Sequence, residues 1–115
     1  MNYKIKKDND SITIILEDPK MIGLQELLNT IDMYNISLND IIEKINMVLS
    51  GESHFEEIGS EAAMIEISKT SSKIYDLFEG ILDESELFPT ISLDNEELKD
   101  ILELWKNEKE QFEKQ

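Results

Sequence analysis

"SLNDIIEKINMVLSG", residues 37–51, carries every local signal of an α-helix. Ser37 is a favoured N-cap residue, Asp40 follows three positions later, and Gly51 stands where a helix-ending glycine belongs. Between these ends, apolar residues recur at helical spacing and form one stripe, made of Leu38, Ile41, Ile42, Ile45, Val48 and Leu49. Such a stripe requires a sheet or another helix to cover it.

The residues before this helix predict a β-hairpin and a shorter helix. "YKIKK" and "SITIILE" flank "DND", whose Asp and Asn residues favour a turn, and the second arm is rich in β-branched residues. Pro19 is expected to end the second strand. From Met21 to Tyr34, Leu and Ile recur at helical spacing, which predicts a helix there.

The residues after the helix predict three short strands, "HFEEIG", "AAMIEISK" and "SKIYDLFE", with a turn at "TSS" between the last two. Ile65 and Ile67 alternate with more polar neighbours, as in a half-buried strand. Residues 72–83 also fit helical spacing, but Gly80 would weaken a helix by about 1 kcal/mol relative to Ala. We therefore favour strands and leave the helix open.

A final helix is predicted after Pro89, in "SLDNEELKDILELWKNEKEQFEK". Ser92 or Asp94 can serve as its N-cap, and Glu97 completes capping-box spacing after Asp94. Its expected buried face consists of Leu98, Ile101, Leu102, Trp105 and Phe112. The whole chain, residues 1–115, thus predicts a single α+β domain: an antiparallel sheet with an N-terminal hairpin and central strands, covered by three helices.

The composition restricts the possible partners. The chain has 26 acidic residues against 11 basic ones, all of them Lys, and a net charge of −15. Such a surface repels nucleic acid and anionic membranes, so we expect no direct contact with either. No apolar run approaches the roughly 20 residues that span a bilayer, and no signal-peptide core follows the basic N-terminus. We expect a cytoplasmic protein.

The sequence lacks the parts of a catalytic or cofactor site. There is no Cys, His54 is the only His, and the four Gly residues form no phosphate-binding loop. We therefore predict neither an enzyme nor a cofactor. Calcium is the metal alternative, since it binds oxygen ligands, but neither "DND" nor "LDESE" continues with the Gly of an EF-hand loop. We predict no metal site.

The charge is concentrated in the middle of the chain. From Glu52 to Asp100 there are 14 acidic residues and 3 Lys, and "DLFEGILDESE", residues 76–86, has five carboxylates and no cation. A solvated acidic face is the usual explanation, but it normally includes interleaved Lys. We favour a surface for a basic protein partner, because such a partner relieves the repulsion. The predicted partner-binding residues are Glu56, Glu57, Glu61, Glu66, Tyr75, Asp76, Glu79, Asp83, Glu84, Glu86 and Phe88.

The order of these segments resembles a known group of proteins. "SLNDIIEKINMVLSGE", "FEEIGSEAAMIEISKTSSKIYDLFE" and "ELKDILELWKNEKEQFEK" together look like immunity proteins of bacterial contact-dependent growth inhibition systems, which belong to the polymorphic-toxin immunity proteins. The resemblance implies a small, cytoplasmic, non-enzymatic protein that binds one cognate toxin domain, usually a nuclease that cuts tRNA or other RNA. It implies inhibition by covering the active site or the substrate-binding surface of that basic toxin.

Other functions remain open. A small calcium-responsive module would change its melting temperature with calcium, and a polyanion mimic for a host nucleic-acid-binding protein differs from an immunity protein only in its partner. The main alternative is of a different class. An acidic secretion chaperone is also small and α+β, but it holds an unfolded effector segment in an apolar groove and is normally a dimer. The oligomeric state and the folded or unfolded state of the partner distinguish the two functions.

Overall fold

The computed structural model describes residues 1–33, 36–60, 63–76 and 89–114. Within these residues the chain forms two antiparallel sheets and three α-helices, which confirms the predicted α+β class. In chain order the elements are β1 (Tyr3–Lys7), β2 (Ile12–Leu16), α1 (Ile22–Thr30), α2 (Leu38–Leu49), β3 (Phe55–Gly59), β4 (Met64–Ser68), β5 (Ser71–Tyr75), β6 (Ile91–Asp94) and α3 (Asn95–Glu113).

The predicted N-terminal hairpin is confirmed. β1 and β2 pair from Tyr3 opposite Leu16 to Lys7 opposite Ile12, and the N–H of Asp8 donates to the carbonyl of Ser11 at 2.9 Å to close the turn. The hairpin forms a sheet of its own and does not join the central strands.

Side chains of α1 occupy the free edge of β2. The amide of Asn29 accepts a hydrogen bond from the Ile14 N–H and donates one to the Ile14 carbonyl, both at 2.9 Å. Gln25 Oε1 accepts from the Leu16 N–H at 2.9 Å. Because these amides replace a strand at the edge, the hairpin needs no further strand partner there.

The first two helices lie close to their predicted bounds. α1 is followed by a short 3-10 turn, Ile31–Met33, and Tyr34, the expected end of the helix, lies outside the described residues. α2 begins as predicted, because the Ser37 hydroxyl accepts from the Asp40 N–H while the Asp40 carboxylate accepts from the Ser37 N–H. Gly51 ends the helix region with φ of +86°, a conformation that favours Gly.

The three central strands are confirmed, and a fourth was not predicted. The order in the second sheet is β3-β4-β5-β6. For residues 72–83, the sequence left strand and helix open. Residues 71–75 form a strand, and residues 77–83 lie outside the described residues. β6 was missed because its four residues directly precede α3, so Asp94 was interpreted only as a helix-capping residue.

α3 begins at the predicted place but without the predicted capping box. Asp94 is the N-cap residue, yet its side chain accepts no hydrogen bond from the first turn. The reason is that Asp94 also ends β6, where it pairs with Ser71 and remains exposed. The buried Asn95 joins the elements instead: its amide accepts from the Ser72 hydroxyl at 2.6 Å and donates to the Ser68 carbonyl at 2.7 Å.

One hydrophobic core joins all three helices to both sheets. α1 and α3 each contact both β2 and β5, and the Trp105 indole N–H donates to the Leu28 carbonyl at 2.9 Å within this core. The predicted buried face of α3 is confirmed at Leu98, Ile101, Leu102 and Trp105, whereas Phe112 is only half-buried. The helices therefore cover one face of the four-stranded sheet and leave its other face directed away from the core.

Candidate partner-binding surface

Side-chain alternation separates the two faces of the four-stranded sheet. The register places Ile58, Ile65, Ile74 and Ile91 in one row across the sheet on the face that packs against the helices. Within each strand, the residues directly before and after these Ile residues project from the opposite face. We call this the outer face, and its described side chains are those of Phe55, Glu57, Met64, Glu66, Ser68, Ser71, Lys73, Tyr75, Ser92 and Asp94.

A row of charged residues crosses the outer face. Glu57 lies directly opposite Glu66, which in turn lies opposite Lys73. The Tyr75 hydroxyl makes a long hydrogen bond of 3.5 Å to Glu66 Oε1, and Lys73 Nζ lies 5.4 Å from the centroid of the Tyr75 ring. Glu66 thus has a cation and a phenol beside it, whereas the charged cross-strand neighbour of Glu57 is a second carboxylate. Like charges in directly opposed positions destabilise a sheet.

Three of the predicted partner-binding residues therefore come together: Glu57, Glu66 and Tyr75. Phe55, which the sequence analysis did not include, lies on the same face and is 49% exposed. The alternation in "HFEEIG" contained the signal for Phe55, because residues 55 and 57 of a strand share one face.

Glu56, another predicted residue, is directed away from the outer face and is bound within the chain. Its carboxylate accepts a hydrogen bond of 2.7 Å from the Ser53 hydroxyl and pairs with Lys44 Nζ at 3.0 Å. The Ser53 hydrogen bond, followed by the hydrogen bond and charge of Lys44, lowers the pKa of Glu56 below its ordinary value of 4.5, against an opposing effect of desolvation. This carboxylate ties α2 to β3, and we assign it a structural role.

Most of the densest acidic segment lies outside the described residues, as do six predicted partner-binding residues: Glu61, Glu79, Asp83, Glu84, Glu86 and Phe88. Asp76 is described and half-buried, directly after β5. The described residues that flank these segments share one end of the sheet, since Gly59 pairs with Met64, Met64 with Tyr75, and Ile74 with Ile91.

The ion pairs of the described residues leave the acidic surplus in place. Four ion pairs join described residues to one another: Lys4 with Glu17 at 3.9 Å, Lys7 with Glu108 at 3.9 Å, Lys44 with Glu56 at 3.0 Å, and Lys109 with Asp32. An exposed pair such as Lys4 with Glu17 contributes about 0–1 kcal/mol. With 26 acidic residues and 11 Lys, one-to-one pairing leaves 15 carboxylates without a cation from this chain.

The described ranges contain neither a cluster of metal-binding side chains nor a helix that could span a membrane. Within them, no three His, Asp or Glu side chains are placed to share a metal ion. His54 is exposed beside the start of β3. No helix in the described part of the chain combines the length and the apolar character that crossing a membrane requires.

Comparisons with models of protein families, with curated proteins and with solved structures return no match to this chain.

Proposed function

We propose that this protein binds a cation-rich protein partner in a stoichiometric complex, and that it acts in the cytoplasm as an immunity protein for a cognate basic toxin domain, such as a ribonuclease. The observation that carries the proposal is the unpaired acidic surplus, a net charge of −15, together with the opposed carboxylates of Glu57 and Glu66 on the outer face. The resemblance of the sequence pattern to immunity proteins supports the choice of a toxin as the partner.

The charge favours binding through both stability and kinetics. Self-repulsion of an acidic surface destabilises the free fold, and a bound cationic surface relieves this repulsion. Complementary potentials also accelerate encounter with the partner. Ribonucleases bind a polyanion, so their substrate clefts are basic, and an acidic surface that enters such a cleft displaces the RNA.

Inhibition then requires no chemistry from this protein. The bound surface excludes the substrate by steric occlusion, and its carboxylates occupy the positions at which substrate phosphates bind. The rim of such an interface sets the association rate, whereas buried contacts set the dissociation rate.

Affinity purification of the tagged protein from its native cell tests the proposal. At low and at moderate salt, native mass spectrometry is expected to show a 1:1 complex with one basic protein, whose ribonuclease activity is silent in the complex and returns after separation. An obligate dimer bound to an unfolded segment would instead indicate a secretion chaperone. Absence of any basic protein at both salt concentrations would contradict the proposal.

Charge reversal tests the acidic segment that follows β5. Replacing Glu79, Asp83 and Glu84 together by Lys is expected to weaken protection from the toxin without unfolding the protein. The matched control reverses three exposed helix residues, Glu26, Glu43 and Asp100, and changes the net charge equally. Full protection and unchanged association kinetics at low salt in the first variant would exclude these three residues from the binding surface.

A further inference from the structure

Among the residues that the structure describes, the outer edge of β3 has backbone hydrogen-bonding groups without a strand partner. β3 is an edge strand, because it pairs only with β4 in the described sheet. The Ser60 N–H donates to the Ala63 carbonyl at 2.9 Å, so these two residues form a hydrogen-bonded pair. Such pairs alternate with non-hydrogen-bonded pairs along an antiparallel ladder. The N–H and C=O groups of Glu57 and Gly59 therefore point away from β4.

This open edge begins at Glu57. The Ser53 hydroxyl lies against the backbone of Phe55. It accepts from the Phe55 N–H at 3.4 Å, and its one proton is shared between the Phe55 carbonyl at 3.0 Å and the Glu56 carboxylate at 2.7 Å. Within the described residues, no hydrogen bond joins the outward groups of Glu57 or Gly59 to another residue. The free edge of β2 differs from that of β3, because the side-chain amides of Asn29 and Gln25 bind its backbone groups.

The charge row identifies the chemistry of a strand that would fit this edge. A residue paired with Glu57 on the outer face would extend the row of Glu57, Glu66 and Lys73. If that residue is Lys or Arg, each carboxylate of the row has a cation on one side, and opposed unlike charges stabilise a sheet. A strand with an apolar or acidic residue at this position leaves Glu57 facing only another carboxylate.

We propose that β3 is a docking edge for an extended basic strand of the partner protein, which adds to the four-stranded sheet through the backbone of Glu57 and Gly59 and places a cation beside Glu57. Strand addition of this kind takes affinity from backbone hydrogen bonds and specificity from alternate side chains. The inference rests on the proposed function for the identity of the partner. A second copy of this chain is disfavoured as the occupant, because each copy has a net charge of −15.

The probe is a short end-capped peptide of alternating Lys and Val, titrated into the ¹⁵N-labelled protein, and the control peptide replaces Lys by Glu. When the basic peptide is added, the amide signals of Glu57 and Gly59 are expected to shift, and their amide protons to exchange more slowly with solvent. The acidic control peptide is expected to cause neither change. Glu57→Pro removes an outward N–H without removing a bond to β4, so binding should weaken roughly tenfold or more. Glu57→Gln keeps the N–H, so it should weaken binding less and reduce its salt dependence.

The matched control is Ser92→Pro on the opposite edge. The register and the bond from the Asn95 N–H to the Thr70 carbonyl indicate that the Ser92 N–H also points outward, and this variant is expected to bind the peptide like the wild type. Equal binding by Glu57→Pro and wild type, with Glu57→Gln also unchanged, would overturn the proposal. So would concentration-dependent self-association that Glu57→Pro abolishes, because the occupant would then be a second copy.

The two proposals fail in distinguishable ways. If a basic toxin co-purifies with Glu57→Pro as well as with wild type, the edge is refuted and the immunity function stands. If the peptide binds at Glu57 and Gly59 but no basic protein co-purifies, the function is refuted and the docking edge stands.

Discussion

Replacing Glu57 by Lys is expected to stabilise the free protein while it weakens partner binding. Glu57 and Glu66 are directly opposed, in the type of pair whose side chains approach most closely. The substitution removes one like-charge pair and creates one opposite-charge pair, and each effect is worth roughly 0.2–1 kcal/mol. The expected gain is about 1 kcal/mol, which corresponds to a rise in Tm of about 3–6 °C for a domain of this size.

The control for this prediction is Glu26→Lys, which changes the net charge equally on α1, at an exposed residue whose neighbours three and four positions away are uncharged. Urea and thermal unfolding at low salt should place Glu57→Lys above Glu26→Lys. The difference should shrink in 1 M salt, where the screening length is about 3 Å, and in a Glu66→Gln background. Equal stability of the two variants at low salt would refute the proposed repulsion on the outer face.

Three further substitutions test the structural basis of the surface. Ser37→Ala removes the hydroxyl that accepts from the Asp40 N–H, so urea unfolding should show a loss of about 1 kcal/mol, whereas Ser37→Gly should lose only a few tenths. Gly59→Ala should cost about 1–3 kcal/mol in the same assay, because the added Cβ lies 2.3 Å from the Met64 sulfur and 2.7 Å from a backbone oxygen. Glu56→Gln tests the lowered pKa: the stability advantage of wild type should be complete above 4.5, the ordinary value, and disappear as the pH falls through the lowered pKa. An advantage that persists unchanged at lower pH would contradict the Glu56 assignment.

Elements with local signals were predictable from the sequence. The capping residues Ser37 and Gly51 define α2, and the turn residues of "DND" define the hairpin. β6 was not predictable in the same way, because four residues next to a strong helix signal do not form a separate pattern. The same proximity led to the incorrect capping box at Asp94, whose conformation is set by strand pairing.

The arrangement of the candidate surface depends on contacts between distant residues. The sequence predicted a strand in "HFEEIG", residues 54–59, but the pairing register decides that Glu57 lies opposite Glu66. Likewise, nothing near Glu56 in sequence indicated that Lys44 would pair with it. The acidic partner-binding surface therefore stays a prediction from composition, and the sequence did not separate the structural carboxylate of Glu56 from exposed ones.

The salt dependence of association tests whether the acidic surplus serves recognition of a cationic partner. The basic protein that co-purifies would be mixed with the wild type in a stopped-flow instrument over a range of ionic strengths. We expect an association rate constant that approaches roughly 10⁸ M⁻¹s⁻¹ at low salt and falls steeply toward about 10⁵–10⁶ M⁻¹s⁻¹ as salt is added. A rate constant that does not change with ionic strength would contradict the claim that the acidic surplus serves recognition of a cationic partner.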